Sequence, residues 1–166
     1  MLLGVIADTH MTGGTTKGRR KLPPACVDRL AGCRMIIHAG DVMTEEAIAE
    51  IEAIGPPVEA VLGNVDSFAL RGRLPPERVL ALPGGATLAI VHDAGPATGR
   101  LKRLRLRFPD ADAVVFGHSH MPLHEREGDF QIFNPGSPTE RRRAPRHTMG
   151  LARVERGGIE FELVEL

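Results

Sequence analysis

Tryptophan and tyrosine are absent from the 166 residues, and phenylalanine occurs only six times. Stacking platforms for unpaired bases are therefore scarce, which argues against a single-strand-binding protein. Neither sign of charge prevails, since 21 Lys and Arg balance 21 Asp and Glu. A chain of zero net charge is not built to be drawn as a whole onto nucleic acid or an anionic membrane. Only two cysteines are present, Cys26 and Cys33, too few for the disulfide framework of a small secreted domain. Their spacing would put both on the inward face of one helix as small buried hydrophobes. No apolar run approaches the roughly 20 residues that cross a bilayer. Met1 leads straight into Leu2-Leu3-Gly4-Val5-Ile6 with no sign of an export signal. A cytoplasmic location without a membrane partner is the expectation.

What is present is ordinary in amount and unusual in arrangement. Hydrophobic residues at 42% and charged residues at 25% suit a globular chain. The length predicts one domain, residues 1–166, with a core that needs no staples. Five apolar runs with the look of buried strands each end in a residue able to hold a metal. Leu2 to Ala7 runs into Asp8-Thr9-His10, Met35 to Ala39 into Gly40-Asp41, and Ala60 to Leu62 into Gly63-Asn64. Leu88 to Val91 runs into His92, and Ala113 to Phe116 into Gly117-His118-Ser119-His120. Strands packed in one sheet bring their ends to a common edge, and the carboxyl edge is where α/β proteins hold ligands. Seven oxygen and nitrogen donors distant in sequence would meet there.

Helical segments separate the runs. Pro23 and Pro24 suit the first turn of a helix through about Leu30, and Thr44 is a candidate N-cap for a helix to Ile54. A third helix is predicted over residues 97–108, with Leu101, Leu104 and Phe108 inward and its arginines solvated. The later chain turns to hairpins, Leu123–Glu127 with Phe130–Phe133 around Gly128-Asp129, and Leu151–Arg156 with Ile159–Leu166 around Gly157-Gly158. The predicted class is α/β, a four-layer α-β-β-α sandwich of two mixed β-sheets packed face to face with helices outside.

Taken singly, D-x-H, G-D and G-N-x-D are weak signals, and a lone histidine after a strand is more often a satisfied core residue. In the order Asp8-Thr9-His10, Gly40-Asp41, Gly63-Asn64-Val65-Asp66, His92, Gly117-His118-Ser119-His120 they are strong together. At these residues, and at Asn134-Pro135-Gly136-Ser137, the chain resembles the calcineurin-like metallophosphoesterases, in particular their small single-domain bacterial and archaeal phosphodiesterase branch. The resemblance implies that Asp8, His10, Asp41 and His120 hold one metal and that Asp41, Asn64, His92 and His118 hold the other. Asp41, Asn64 and His92 are then the residues expected to act in catalysis. Asp66 and His38 are expected to support the ligands from behind, Asp66 by bracing a histidine.

The chemistry explains the residue types. Hydrolysing a phosphate ester at neutral pH needs a hydroxide and a neutraliser of phosphoryl charge, and two divalent ions roughly 3.5–4 Å apart supply both. A carboxylate can bridge such a pair, and Asp41 is the candidate. Imidazole and carboxylate donors without thiolate favour manganese, iron or zinc over calcium or magnesium, with manganese placed first. The expected enzyme is a dinuclear metal-dependent phosphodiesterase working by direct attack of a metal-bound hydroxide on a small phosphoester. The alternatives are a phosphomonoesterase or nucleotide hydrolase with the same centre, or a catalytically weak metal-binding scaffold resembling the retromer subunit of this superfamily. A nuclease ranks below these, because the chain carries no evident DNA-binding addition. A homo-oligomer would be in keeping with the family.

Val65 stands where many larger members carry a histidine that protonates the leaving oxygen, and valine cannot do so. His124, Asp93 or a metal-bound water could take its place. Arg141 and Arg142 are candidates for contact with a substrate phosphate, and the basic stretch Met11–Lys21 could be a flap or a solvated loop.

Overall fold

A computed structural model describes residues 1–15, 18–156 and 158–166. Among the described residues, ten strands and four helices follow in the order β1 Leu2–Ile6, α1 Pro24–Ala31, β2 Met35–His38, α2 Glu45–Glu52, β3 Val58–Ala60, α3 Phe68–Arg71, β4 Glu77–Ala81, β5 Thr87–Val91, α4 Arg100–Arg107, β6 Ala113–Val115, β7 Leu123–Glu127, β8 Phe130–Asn134, β9 Thr148–Glu155 and β10 Gly158–Glu165. They form two five-stranded sheets, ordered β10-β9-β1-β2-β3 and β4-β5-β6-β8-β7. In the first sheet β1, β2 and β3 are parallel and β9 and β10 antiparallel. In the second, β5, β6 and β8 are parallel and the edge strands β4 and β7 antiparallel. Both sheets are therefore mixed, as expected.

The apolar runs are continuous because these strands are buried on both faces. Leu3, Val5 and Ala7 of the first run point between the sheets with Ile37, Leu88, Ile90, Ala113 and Val115. Ile6 and Ile36 point the other way, onto Cys26 and Leu30 of α1 and Ile48 and Ile51 of α2. On the far side, Ala89, Val91 and Val114 meet Leu104 and Phe108 around α4. Three apolar layers between four layers of secondary structure make the predicted sandwich.

Several expected boundaries shift, each for a local reason. Helix α4 starts at Arg100 because Gly99 takes φ 68°, so residues 97–99 form a turn. The guanidinium of Arg103 closes that turn on the carbonyls of Ala94 and Pro96. The remaining arginines of α4 are not simply solvated. Arg100 and Arg105 lie over the rings of Phe116 and Phe130, and Arg107 pairs with Glu77. The short α3 and the edge strand β4 were not anticipated, since β4 alternates between exposed and half-buried residues and carries little apolar signal. The third run pairs as Val58–Ala60, earlier than Ala60 to Leu62. The last hairpin begins at Thr148, and Gly157 of its predicted turn lies outside the described residues. Among the described residues no helix is long and apolar enough to cross a membrane.

Cys33 falls beyond the end of α1, so the two cysteines do not share a helix. Both are buried free thiols, and the Cys33 thiol donates to the Arg29 carbonyl at 3.2 Å. Burial pushes the Cys26 thiol up to about 12 and raises that of Cys33. Because the thiolate is the reactive form, neither should react with a thiol-specific chromogenic disulfide at mildly alkaline pH in the native protein. Both should react once denaturant is added. Fast release of even one equivalent from the native state would contradict this burial.

Candidate metal centre

The five runs become β1, β2 and β3 of one sheet and β5 and β6 of the other. Stacking the sheets brings all five carboxyl ends to one edge. Short cross-ties align the ends. The Asp8 amide donates to the Gly40 carbonyl, that of His10 to the Asp41 carbonyl, and that of Gly117 to the His92 carbonyl. The amide of His118 crosses between the sheets to Oδ1 of Asp8 at 3.0 Å.

Five of the seven predicted donors have left-handed backbones without being glycine: Asp8 (φ 54°), His10 (46°), Asp41 (61°), His118 (69°) and His120 (58°). Such conformations cost on the order of 1–3 kcal/mol each and concentrate at functional sites. In both D-x-H and H-x-H the outer residues share the conformation, and the residue between them faces elsewhere. Thr9 is buried beneath and meets Nε2 of His38 at 3.0 Å. Two glycines make room for the donors. A Cβ at Gly63 would lie 2.1 Å from both the amide nitrogen and Oδ1 of Asp41, and one at Gly40 2.7 Å from Nδ1 of His92.

The donors come together in two overlapping sets. Ligand atoms of Asp8, His10 and His120 lie within 4.8 Å of one another, as do those of Asp8, Asp41 and His92. Oδ2 of Asp41 is 3.5 Å from Nε2 of His10, and Oδ1 is 3.3 Å from Nε2 of His92. Nε2 of His120 stands 3.6 Å from Oδ1 of Asp8. On the open side, Nε2 of His92 and Nδ1 of His118 converge on Oδ1 of Asn64 at 3.0 and 2.9 Å. Asn64 and His118 are exposed, whereas the other five donors are buried.

The electrostatics call for positive charge at this edge. Burial, reinforced by nearby Asp41, pushes the Asp8 carboxyl up to about 7. Burial also pushes Asp41 up, but the hydrogen bond and charge of His92 and the Val65 amide overcome it and hold Asp41 at about 2. Burial lowers His92, but the hydrogen bond and charge of Asp41 outweigh it and raise the ring above its ordinary value. Burial lowers both His10 and His120, keeping them neutral with a lone pair to offer. Oδ2 of Asp8 and Nε2 of His10 and of His120 are buried with no hydrogen-bond partner. Unpartnered acceptors converging beside two buried carboxylates fit divalent cations bound through oxygen and nitrogen.

The surrounding residues divide. Burial holds His38 neutral, pushed down to about 4. Asp66 hydrogen-bonds to no histidine, although its charge is felt at His38. Its two oxygens accept from the amides of Met43 at 2.7 Å and Gly63 at 2.6 Å, tying the loop after β2 to the loop after β3. His124 contacts Gln131, Phe133 and Phe161, none of them a donor. Asp93 instead lines an open cavity of about 400 Å³ together with Asn64, His92 and Arg71. Arg141 is spent on the Ala144 carbonyl, whereas the charge of exposed Arg142 lowers Asp8, His10 and His120 together. Thr16 and Lys17 of the basic stretch lie outside the described residues. Its described parts are tethered, Arg19 to Glu50 and Arg20 to Glu140.

Sequence reasoning found the Asn134–Ser137 motif but not the contacts by which it holds the site's loops in place. Asn134 is fully buried and donates to the Gly117 carbonyl and the Ser119 hydroxyl, while its Oδ1 accepts from Gly136. The Ser137 hydroxyl donates to the Asp8 carbonyl at 2.7 Å and accepts from the amides of Thr139 and Glu140. Asn134-Pro135-Gly136-Ser137 was a visible motif, but Thr9 and Glu140 had no sequence signal.

A profile described as the calcineurin-like phosphoesterase superfamily domain matches residues 1–157. A probable metallophosphoesterase from Methanothermobacter thermautotrophicus is 30% identical over 166 residues, covering 99% of this chain and 92% of its own. Zinc-complexed Vps29 from Entamoeba histolytica superposes with a TM-score of 0.75 at 20% identity, over 99% of each chain. A novel archaeal phosphodiesterase superposes with a TM-score of 0.71 at 17% identity, over 99% of this chain and all of its own. The two solved structures share the fold, and the profile and the archaeal relative extend that to descent: the chain belongs to the calcineurin-like phosphoesterase superfamily.

Proposed function

We propose that the protein is a phosphodiesterase with a paired-cation centre. Asp8, His10, Asp41 and His120 take one divalent ion and Asp41, Asn64, His92 and His118 the other, manganese before iron or zinc. The position of Asp41 carries the reading, because each of its oxygens faces a histidine of a different set. Bound ions would polarise water and neutralise charge on the phosphoryl oxygens.

The remaining work belongs to the chain. The Val65 amide donates to Oδ1 of Asp41 at 3.0 Å and so helps keep that carboxylate ionised and oriented. Nδ1 of His92 donates to the Ala39 carbonyl at 2.8 Å, which directs Nε2 toward Asn64 and Asp41. Exposed Asn64 and His118 form the open side, and the cavity beside Asn64 gives one ester substituent room. Exposed Arg142, whose charge is felt at Asp8, His10 and His120, is a better candidate to meet a phosphate than Arg141, which is bonded to the Ala144 carbonyl.

Val65 contributes its backbone and no proton, so leaving groups must be acidic. Esters of p-nitrophenol should turn over at least about 100-fold faster than alkyl esters, which need a general acid. Equal rates would mean that a proton donor is present and would make Asp93 the first residue to replace. The broader test uses chelator-stripped protein reloaded with manganese and assayed on bis-p-nitrophenyl phosphate and p-nitrophenyl phosphate. Preference for the diester supports the proposal, and preference for the monoester replaces it with a phosphomonoesterase. Val65 and the likeness in fold to Vps29 favour a scaffold as the second reading. Two bound ions with no turnover on either ester would establish it.

A further inference from the structure

Glu140 follows the Asn134–Ser137 loop and lies in none of the predicted motifs, yet it touches both histidines of the first donor set. Its Oε2 is buried, accepts no hydrogen bond, and stands 3.3 Å from Nδ1 of His10. Its backbone carbonyl is the acceptor for Nδ1 of His120. The Nε2 atoms of the same two rings are buried, unpartnered and directed at Asp41 and Asp8 respectively. A neutral imidazole carries one proton, so an anionic oxygen facing Nδ1 at ion-pair distance, as at His10, or a carbonyl bonded to it, as at His120, favours the proton on Nδ1 and the lone pair on Nε2.

Glu140 is itself held on two sides. Its amide donates to the Ser137 hydroxyl at 2.8 Å, and the same hydroxyl donates to the carbonyl of Asp8. Its other carboxylate oxygen lies 3.3 Å from Arg20 of the basic stretch. The second donor set has a different arrangement, because the Nδ1 acceptor of His92 is the Ala39 carbonyl on β2's own continuation.

We propose that Glu140 is the positioning residue of the first donor set, its carboxylate and carbonyl together turning His10 and His120 so that both present Nε2 to one cation. The assignment rests on the paired-cation reading for its purpose, but the ring orientation is a property of the metal-free chain and can be tested without any ion. In metal-free protein, long-range ¹H–¹⁵N spectra should show both rings with the proton on Nδ1. Glu140→Ala should remove that preference at His10 and keep it at His120, whose acceptor is backbone. Glu140→Gln, which retains an acceptor oxygen, should restore it.

Calorimetric titration of stripped protein with manganese supplies the second readout. Glu140→Ala should weaken one of the two sites by about 10–100-fold, the usual cost of losing such an outer partner, and leave the other unchanged. Glu140→Gln should recover most of that loss. Unaltered His10 tautomer in Glu140→Ala overturns the proposal, as does equal weakening of both sites. A wild type that binds fewer than two ions overturns the paired-cation reading instead, and the tautomer spectra then still decide the role of Glu140.

Discussion

Asp41→Asn should abolish hydrolysis and prevent stable loading of either ion. Asparagine keeps the size and one acceptor oxygen, so the Val65 amide retains a partner, but the negative charge between His10 and His92 is gone. Lewis-acid stabilisation is worth several kcal/mol, and about 4 kcal/mol corresponds to roughly 10³ in rate. Turnover of bis-p-nitrophenyl phosphate should fall by at least that factor. The metal-free variant should fold normally, because it removes one of two buried like charges, which after burial is the lesser cause holding Asp8 high.

The decisive measurement is thermal unfolding with and without manganese. A ligand present at about 100 times its Kd stabilises by about 2.7 kcal/mol, roughly 5–10 °C for a chain of this size. Wild type should show that rise and Asp41→Asn should not. A variant with normal metal content and an intact rise in Tm would remove Asp41 from between the ions.

Phe133→Ala should be the most damaging single change to stability. Phe133 is 1% exposed on β8 of one sheet and stacks on Phe161 of β10 in the other, with ring centroids 4.5 Å apart and nearly parallel planes. Its ring edge is seated at Gly150 on β9, where even a methyl group would come within 2.4 Å of Cε1. The side chain thus locks the sheets together one residue before Asn134, which holds the Gly117 loop. Truncation of a buried phenylalanine costs about 3–5 kcal/mol, which would lower Tm by roughly 6–20 °C. Phe161→Ala should cost less, since that ring is only partly buried. A loss below about 1 kcal/mol in denaturant titration of Phe133→Ala would mean that the ring does not join the sheets.

The central strands were legible because burial on both faces writes them as unbroken apolar runs, and their donors because each run stops at a polar residue or a glycine. The sandwich followed from the switch between early β-α alternation and late hairpins. Edge strand β4 was not legible, since a strand with one half-buried face carries few apolar residues. The start of α4 was misplaced because one left-handed glycine outweighed helix-compatible neighbours.

Alone, the amino-acid order determined which side chains could bind a cation and that they close successive buried strands. Only the stacking of the two sheets decided how those side chains meet. The His118 amide reaches Asp8 across 110 residues of chain, Asp66 ties two loops rather than a histidine, and Glu140 takes both rings of one donor set. Local pattern encodes burial and turning, which depend on near neighbours. Contacts between loops of different sheets depend on how three apolar layers settle against one another, and no short stretch of sequence carries that information.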